Sequence, residues 1–254
     1  DYVYLCFDVN EETLPAAVAG LKTCGIRGFN LTMPNKNKIV ELLDDLSPEA
    51  QLIGAVNTVL NDNGKLIGYN TDGYGFMQSV RDAGHDITGK NITVMGVGGA
   101  SMAICAQSAL DGAASVHIFA RRTSRYWNRT QKFAENLSAK TGCQVCLFDN
   151  DDHTALRDSI AQSYLLINAT SVGMVPDIDD TIIKDTSLFH PELVVADVVY
   201  EPQETRLLRE AKAAGCQTFN GMYMLLHQGA KAFQIWTGQE MPVSVIKEKY
   251  FSVK

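Results

Sequence analysis

The chain has 254 residues, 46% of them hydrophobic and 20% charged, with 29 acidic against 22 basic residues and a net charge of -7. That length allows one large domain or two smaller ones around a real apolar core, and the acidic balance argues against a broad basic face for nucleic acid or anionic lipid. No apolar run approaches the ~20 residues of a membrane span, and residues 1–7 lack the basic stretch and cleavage site of a secretory leader, so a cytoplasmic protein with no membrane partner is expected.

In chain order, alternating Val3, Leu5 and Phe7 predict a strand, and a helix over 11–24 carries Leu14, Val18 and Leu21 on one stripe. Gly25 and Gly28 punctuate a strand around Phe29 and Leu31, and Pro34 opens a helix through Leu43. Asn63-Gly64 turns a hairpin between 56–60 and 66–69, and a helix over 74–82 follows. The series then becomes regular: strand 92–95, helix 100–110, strand 116–119, helix 130–140, strand 145–148, helix 154–162 and strand 165–168. Strand 193–197, helix 204–214 and strand 216–219 extend it, and a long apolar helix over 222–236 leaves it. Strands alternating with crossover helices imply a parallel sheet covered on both faces.

Six scattered cysteines are too few for a disulfide framework. Cys143-Gln-Val-Cys146 has metal half-site spacing, but no second pair accompanies it and its neighbours Val145, Leu147 and Phe148 read as strand, so packing cysteines and no metal are expected.

Between the first strand of the regular series and its helix lies Gly96-Val-Gly98-Gly99-Ala100-Ser101. Gly96 permits the tight turn and Gly98 close approach of a pyrophosphate, while the helix N-terminus offers free N–H groups to the anion. Ser101 occupies the third glycine position, so the fingerprint is incomplete. At the end of the next strand, Ala120-Arg121-Arg122 offers no acid for a ribose 2′-hydroxyl and two Arg for a 2′-phosphate, which favours NADP over NAD. The alternatives are solvated Arg, or an Arg stacked on adenine with either cofactor.

Three earlier stretches place polar residues at strand ends and helix starts, where open α/β sheets bind ligands. They are Asn30-Leu-Thr32-Met-Pro34-Asn-Lys36, Gly54-Ala-Val-Asn57-Thr58 and Asn70-Thr-Asp72-Gly73. Taken alone, Asp72 is equally readable as the N-cap of the helix over 74–82.

These stretches, in order with the glycine turn, Asn168-Ala-Thr170-Ser171-Val-Gly173-Met174 and Gln228-Gly-Ala, resemble the shikimate dehydrogenase family over essentially the whole chain. Met33-Pro-Asn-Lys36 and the run from Gln228 through Phe233 and Trp236 to Gly238 are similar to its quinate/shikimate branch. The resemblance implies reversible hydride transfer between C3 of shikimate, or the matching carbon of quinate, and C4 of a nicotinamide. It implies an α/β fold of two domains, with residues 1–84 and 225–254 forming the substrate domain and 85–224 a Rossmann doubly wound parallel sheet.

By the same match Lys36 and Asp72 are the catalytic pair. Oxidising an alcohol requires its proton to leave as hydride departs, and a positioned amine or carboxylate accepts or relays it. A free Lys titrates near ~10.4; burial lowers that and an adjacent Asp raises it again. Two roles therefore stay open for Lys36: general acid/base, or a fixed cation on the substrate oxygen while the proton leaves through Asp72. Thr32, Asn57, Gln228 and Tyr200 are carried over as substrate-site residues, the first three for ring hydroxyls. Gly96, Gly98, Gly99, Ala100, Ala120, Arg121, Arg122, Thr170, Ser171, Val198 and Gly221 are carried over as cofactor-site residues, and packing is an equal alternative for Tyr200 and Met222. His227 is expected in the core or at the rim.

The sequence departs from the family at Tyr223, usually Gly, and at Ala120, usually Asn. It also lacks counterparts of the family's opening strand and helix, roughly 30–40 residues by ordinary element lengths. The expected partner is shikimate or quinate, with a homodimer left open. The alternative reading is a catalytically silent dinucleotide-binding or regulatory module, against which the retention of both Lys36 and Asp72 argues.

Overall fold

A computed structural model describes residues 2–251. The first element is α1 (Leu14–Thr23), which starts on a proline-containing turn and buries Leu14 and Val18. Strand β1 (Gly28–Asn30) follows, then α2 (Asn35–Lys38), which tightens into a 3-10 turn at Ile39–Leu42. The short β2 (Asp45–Leu46) leads into α3 (Pro48–Ile53), capped by the Ser47 hydroxyl accepting from the Ala50 N–H. The hairpin β3 (Thr58–Asp62) and β4 (Lys65–Tyr69) turns on Asn63-Gly64, both at positive φ, as this dipeptide favours. Together these strands form a four-stranded sheet in the order β1-β3-β4-β2.

Helix α4 (Asp72–Asp82) crosses from this sheet to a second one. There β5 (Asn91–Met95), α5 (Gly99–Leu110), β6 (Ser115–Ala120), α6 (Trp127–Thr141) and β7 (Gln144–Asp149) build the first half of a doubly wound unit. The other half is α7 (His153–Gln162), β8 (Leu165–Asn168), β9 (Val194–Asp197), α8 (Arg206–Ala213) and β10 (Gln217–Phe219). All pairings are parallel, in the order β10-β9-β8-β5-β6-β7, so the strand order reverses between β5 and β8. β8 and β9 are buried at every position, as strands covered on both faces must be.

Helix α9 (Met222–Thr237) runs back to the first sheet, where the Trp236 indole N–H donates to the Val59 carbonyl at 2.9 Å. A short α10 (Val243–Ile246) and a π-helical turn over Lys247–Phe251 end the described chain.

One expected element does not form. Residues 2–10 carry no strand, and Val3, Leu5 and Phe7 are 84%, 65% and 65% exposed. Alternation supplies a strand's faces but not its ladder. Among the described residues β1 pairs only with β3, and the opening segment meets β1 through the Tyr4 hydroxyl, which donates to Asn30 Oδ1 at 2.9 Å. The cysteines fall as follows: Cys143 lies in the core beside Phe133 and Leu137, and Cys146 is half-buried on β7. Among the described residues no cluster of His, Cys, Asp or Glu is arranged to hold a metal, and no helix is long and apolar enough to cross a membrane.

Candidate active site

Lys36 stands on α2, whose position is fixed from the segment between α3 and β3 by the Val56 N–H donating to the Lys36 carbonyl at 2.8 Å. Its Nζ donates to Asp72 Oδ2 at 2.6 Å, with the two side chains 19% and 10% exposed. Asn57, just before β3, donates through Nδ2 to Asp72 Oδ1 at 2.8 Å, to Thr71 Oγ1 at 3.0 Å and to Gln228 Oε1 at 3.3 Å. Its Oδ1 accepts from the Thr71 N–H at 2.9 Å and the Thr58 hydroxyl at 3.0 Å. Lys36, Asn57, Asp72 and Gln228, drawn from four separate segments, thus form one polar cluster.

Asp72 is not the N-cap of α4. The helix starts at Asp72 itself and Thr71 holds the cap position, with no side-chain cap bond. A carboxylate gains more from a short charge-assisted bond to Lys36 than from a neutral backbone cap, and a negative charge in the first helical turn remains favourable. Helix α4 also brings the cluster to the second sheet: at Gly73 an added Cβ would lie 2.4 Å from the Ala103 carbonyl of α5.

The start of α5 fits a dinucleotide phosphate. Gly96 has φ 111°, and a Cβ there would meet Thr170 Cγ2 at 2.8 Å and the Ala169 carbonyl at 2.9 Å, so only glycine fits this crossing of the β5 and β8 ends. At Gly98 and Gly99 a Cβ would meet nothing within 4 Å, which leaves open space before the first N–H groups of the helix, where Ala100 also lies. This turn sits where the strand order reverses, the customary ligand crevice of an open α/β sheet.

On the neighbouring strand end Ala120 is buried, while Arg121 and Arg122 are exposed. The Arg122 guanidinium lies over the Trp127 ring at 4.5 Å. Across the crevice Thr170 is fixed by Asn168 Oδ1, which accepts from its N–H at 3.1 Å and its hydroxyl at 2.7 Å. Ser171 is exposed, Val198 is half-buried, and Gly221 presses on Val198, whose carbonyl would lie 2.1 Å from an added Cβ. Thr32 and Tyr200 are exposed, and among the described residues their side chains make no hydrogen bond to the Lys36 cluster. His227 is buried, its Nε2 2.9 Å from Asp82 Oδ2.

Comparison with known proteins decides what this scaffold is. The "Shikimate dehydrogenase substrate binding domain" profile matches residues 1–59, and the "Shikimate 5'-dehydrogenase C-terminal domain" profile matches 221–249. A shikimate dehydrogenase (NADP(+)) of Listeria innocua is 51% identical over 251 residues, 99% of this chain and 86% of the relative. The chain belongs to the shikimate dehydrogenase family. Within it, the solved shikimate 5-dehydrogenase of Listeria monocytogenes in complex with shikimate and NAD superposes with a TM-score of 0.95 at 50% identity, covering 98% of this chain and 86% of that one. Quinate dehydrogenase of Corynebacterium glutamicum in complex with NAD gives a TM-score of 0.83 at 32% identity, over 94% and 83% of the two chains.

For this family member the structure gives partners to residues that stood in the sequence motifs without an assigned role, and adds one that stood in none. Thr58 and Thr71 join the polar cluster, and Asn70 braces it by accepting the Asp72 N–H at 3.2 Å and donating to the Ala55 carbonyl at 3.0 Å. Asp149, at the end of β7, is paired in register with Ala120, and its Oδ1 accepts from the Arg122 N–H at 3.4 Å. The Ala120–Arg122 turn contains no acid of its own, but the adjacent strand delivers one. Only strand register reveals it, because 29 positions separate Ala120 from Asp149.

Proposed function

We propose that this chain catalyses the reversible oxidation of shikimate at C3 to 3-dehydroshikimate with NADP as hydride acceptor, quinate and NAD being the alternative substrate and cofactor. The observation that carries the reading is the Lys36–Asp72 pair at 2.6 Å, bridged by Asn57 to Gln228 and joined through α4 to the helix behind the glycine turn. We assign the substrate domain to residues 1–84 and 225–254 and the cofactor domain to 85–224, with the cleft between them as the site. Six cysteines, none of them disulfide-bonded among the described residues, support a cytoplasmic setting.

When bound, the dinucleotide supplies the hydride acceptor. Asn57 and Gln228 orient the ring through its hydroxyls, with Thr32 closing from the exposed side, and each polar group they leave unpaired penalises a wrong substrate. Lys36 Nζ stands where it can bond the reacting oxygen, and Asp72 Oδ2, 2.6 Å behind it, is placed to receive or relay the alcohol proton. The 2′-phosphate end is assigned to Arg121 and Arg122, and the nicotinamide end to Thr170, Ser171, Val198 and Gly221, with Tyr200 at its rim.

The test is to follow reduced-nicotinamide absorbance for NADP and NAD, each with shikimate and with quinate. Lys36→Ala is expected to lower kcat by about 10^2–10^4-fold while leaving the NADP dissociation constant within about twofold. A variant with near-normal turnover would remove Lys36 from the chemistry. Absence of turnover in all four wild-type pairings would leave a silent dinucleotide-binding module.

A further inference from the structure

A buried carboxylate lies outside the Lys36 cluster and has no part in the chemistry above. Asp197 ends β9 at 1% exposure, in register with Asn168 at the end of β8. Among the described residues all its hydrogen-bond partners are neutral. Oδ1 accepts from Asn168 Nδ2 at 2.9 Å and from the Val199 N–H at 3.0 Å, and Oδ2 accepts from the Thr205 hydroxyl at 2.7 Å.

The three partners belong to two loops. Asn168 bonds Thr170 through Oδ1 and the Val172 carbonyl through Nδ2 at 3.1 Å, so it dictates the turn over 168–172. Val199 and Thr205 bracket the loop that leaves β9, and Thr205 caps α8 by accepting from the Leu208 N–H. A buried carboxylate with no cation is costly, and apolar residues would pack two strand ends at less expense. Apolar residues cannot, however, fix the relative position of two loops, whereas an acceptor-only group with two oxygens facing three donors can. Burial pushes the Asp197 carboxyl up, against the pull of Thr205, Val199 and Asn168.

We propose that Asp197 is a positioning residue that locks the 168–172 turn and the 198–205 loop into the single arrangement that receives the nicotinamide end of the cofactor. The inference rests on the assignment of Thr170 and Val198 to that end. It predicts a defect confined to the nicotinamide half of the ligand, which a general loss of stability would not produce. Asp197→Asn can keep its amide oxygen on the Asn168 and Val199 donors and turn its amide N–H to the Thr205 hydroxyl, which accepts as well as donates, so the lock keeps only neutral bonds in place of charge-assisted ones.

The experiment measures, on the full chain, dissociation constants for NADP and for 2′-phospho-ADP-ribose, which lacks the nicotinamide, together with the shikimate KM and the thermal midpoint. Asp197→Asn is expected to weaken NADP about tenfold, the scale of exchanging charge-assisted for neutral hydrogen bonds, while the half-molecule and the shikimate KM at saturating NADP change less than about twofold. Thr205→Val should reproduce the pattern more weakly and Thr205→Ser should restore it; this pair carries the test if Asp197→Asn does not fold. Wild-type NADP affinity in Asp197→Asn, or equal weakening of NADP and the half-molecule, would overturn the proposal. Val198→Trp examines the assignment beneath it. Selective loss of NADP there supports the nicotinamide placement, and undiminished NADP binding would overturn that placement and the proposal with it.

Discussion

Arg121 and Arg122 are neighbours in sequence, but the structure gives them different surroundings. Arg122 is committed to the Trp127 face and its backbone N–H to Asp149, whereas the Arg121 side chain has neither partner. Of the two, Arg121 is the freer to meet a 2′-phosphate. Arg121→Ala should therefore raise the NADP dissociation constant about tenfold or more, as expected for a lost charge-assisted bond, and leave NAD within about twofold. Arg122→Ala should cost less and act on both cofactors, through the lost stack. Equal losses for NADP and NAD in Arg121→Ala, read by titration calorimetry, would exclude a phosphate role. At this scale the short motifs of the sequence pointed to Lys36, Asn57 and Asp72, which the structure brings into one polar cluster. The motifs did not reach Asp149, Asp197 or Thr205, because each acts through a partner supplied by strand register or by a loop folding back, and no local pattern encodes that.

At the scale of elements, α4 does most to assemble the site, since Asp72 opens it, α5 lies against Gly73, and α9 lies against Gly75. A Cβ on Gly75 would sit 2.7 Å from both the Gln228 N–H nitrogen and the Met224 carbonyl oxygen. Gly75→Ala must push α9 outward, at about 1–3 kcal/mol of stability by the usual scale of overpacking, and Gln228 moves with it. The urea midpoint should fall and the shikimate KM rise. Gly229→Ala is the matched comparison on α9: a Cβ there meets nothing within 4 Å, so the same change should stabilise by about 0.5–1 kcal/mol. Two variants with the same sign would show that the close helix contact is unimportant. Elements with a long period and clear punctuation were legible in the sequence, including each strand of the six-stranded sheet. β2, α3 and the shift from α2 to a 3-10 turn were not, because these short pieces take their shape from packing. The strand expected at Val3–Phe7 shows the converse: a good pattern without a ladder partner does not form.

Over the whole molecule, acid sensitivity should come from histidines that tie elements together, His227 buried and His85 and His117 half-buried. The His85 ring packs against Phe219 on β10 and bonds the Tyr164 hydroxyl at 2.9 Å, His117 on β6 bonds Ser159 on α7 at 3.0 Å, and His227 on α9 bonds Asp82 at the end of α4. Burial lowers all three below the ordinary 6.5; for His227 it outweighs the upward pull of Asp82. Asp82 is pushed up by burial, but bonds from Lys247, Gln78 and His227 hold it down at about 2. A histidine depressed in the fold binds its proton more readily when unfolded, so stability rises with pH there. The contribution is fully present above about 6.5 and is lost as pH falls from there towards the lower folded values. That of Asp82 is present above about 4 and disappears only as pH falls towards 2, a separate and more acid window. Urea unfolding at pH 7.5, 6.5 and 5.5 should thus show little loss of stability over the first step and most of it over the second, and a chain carrying His85→Asn, His117→Asn and His227→Asn should show a flatter profile from a lower starting value. A wild-type profile without slope over that range, or one that the triple variant leaves unchanged, would mean that these histidines do not make the fold acid-sensitive.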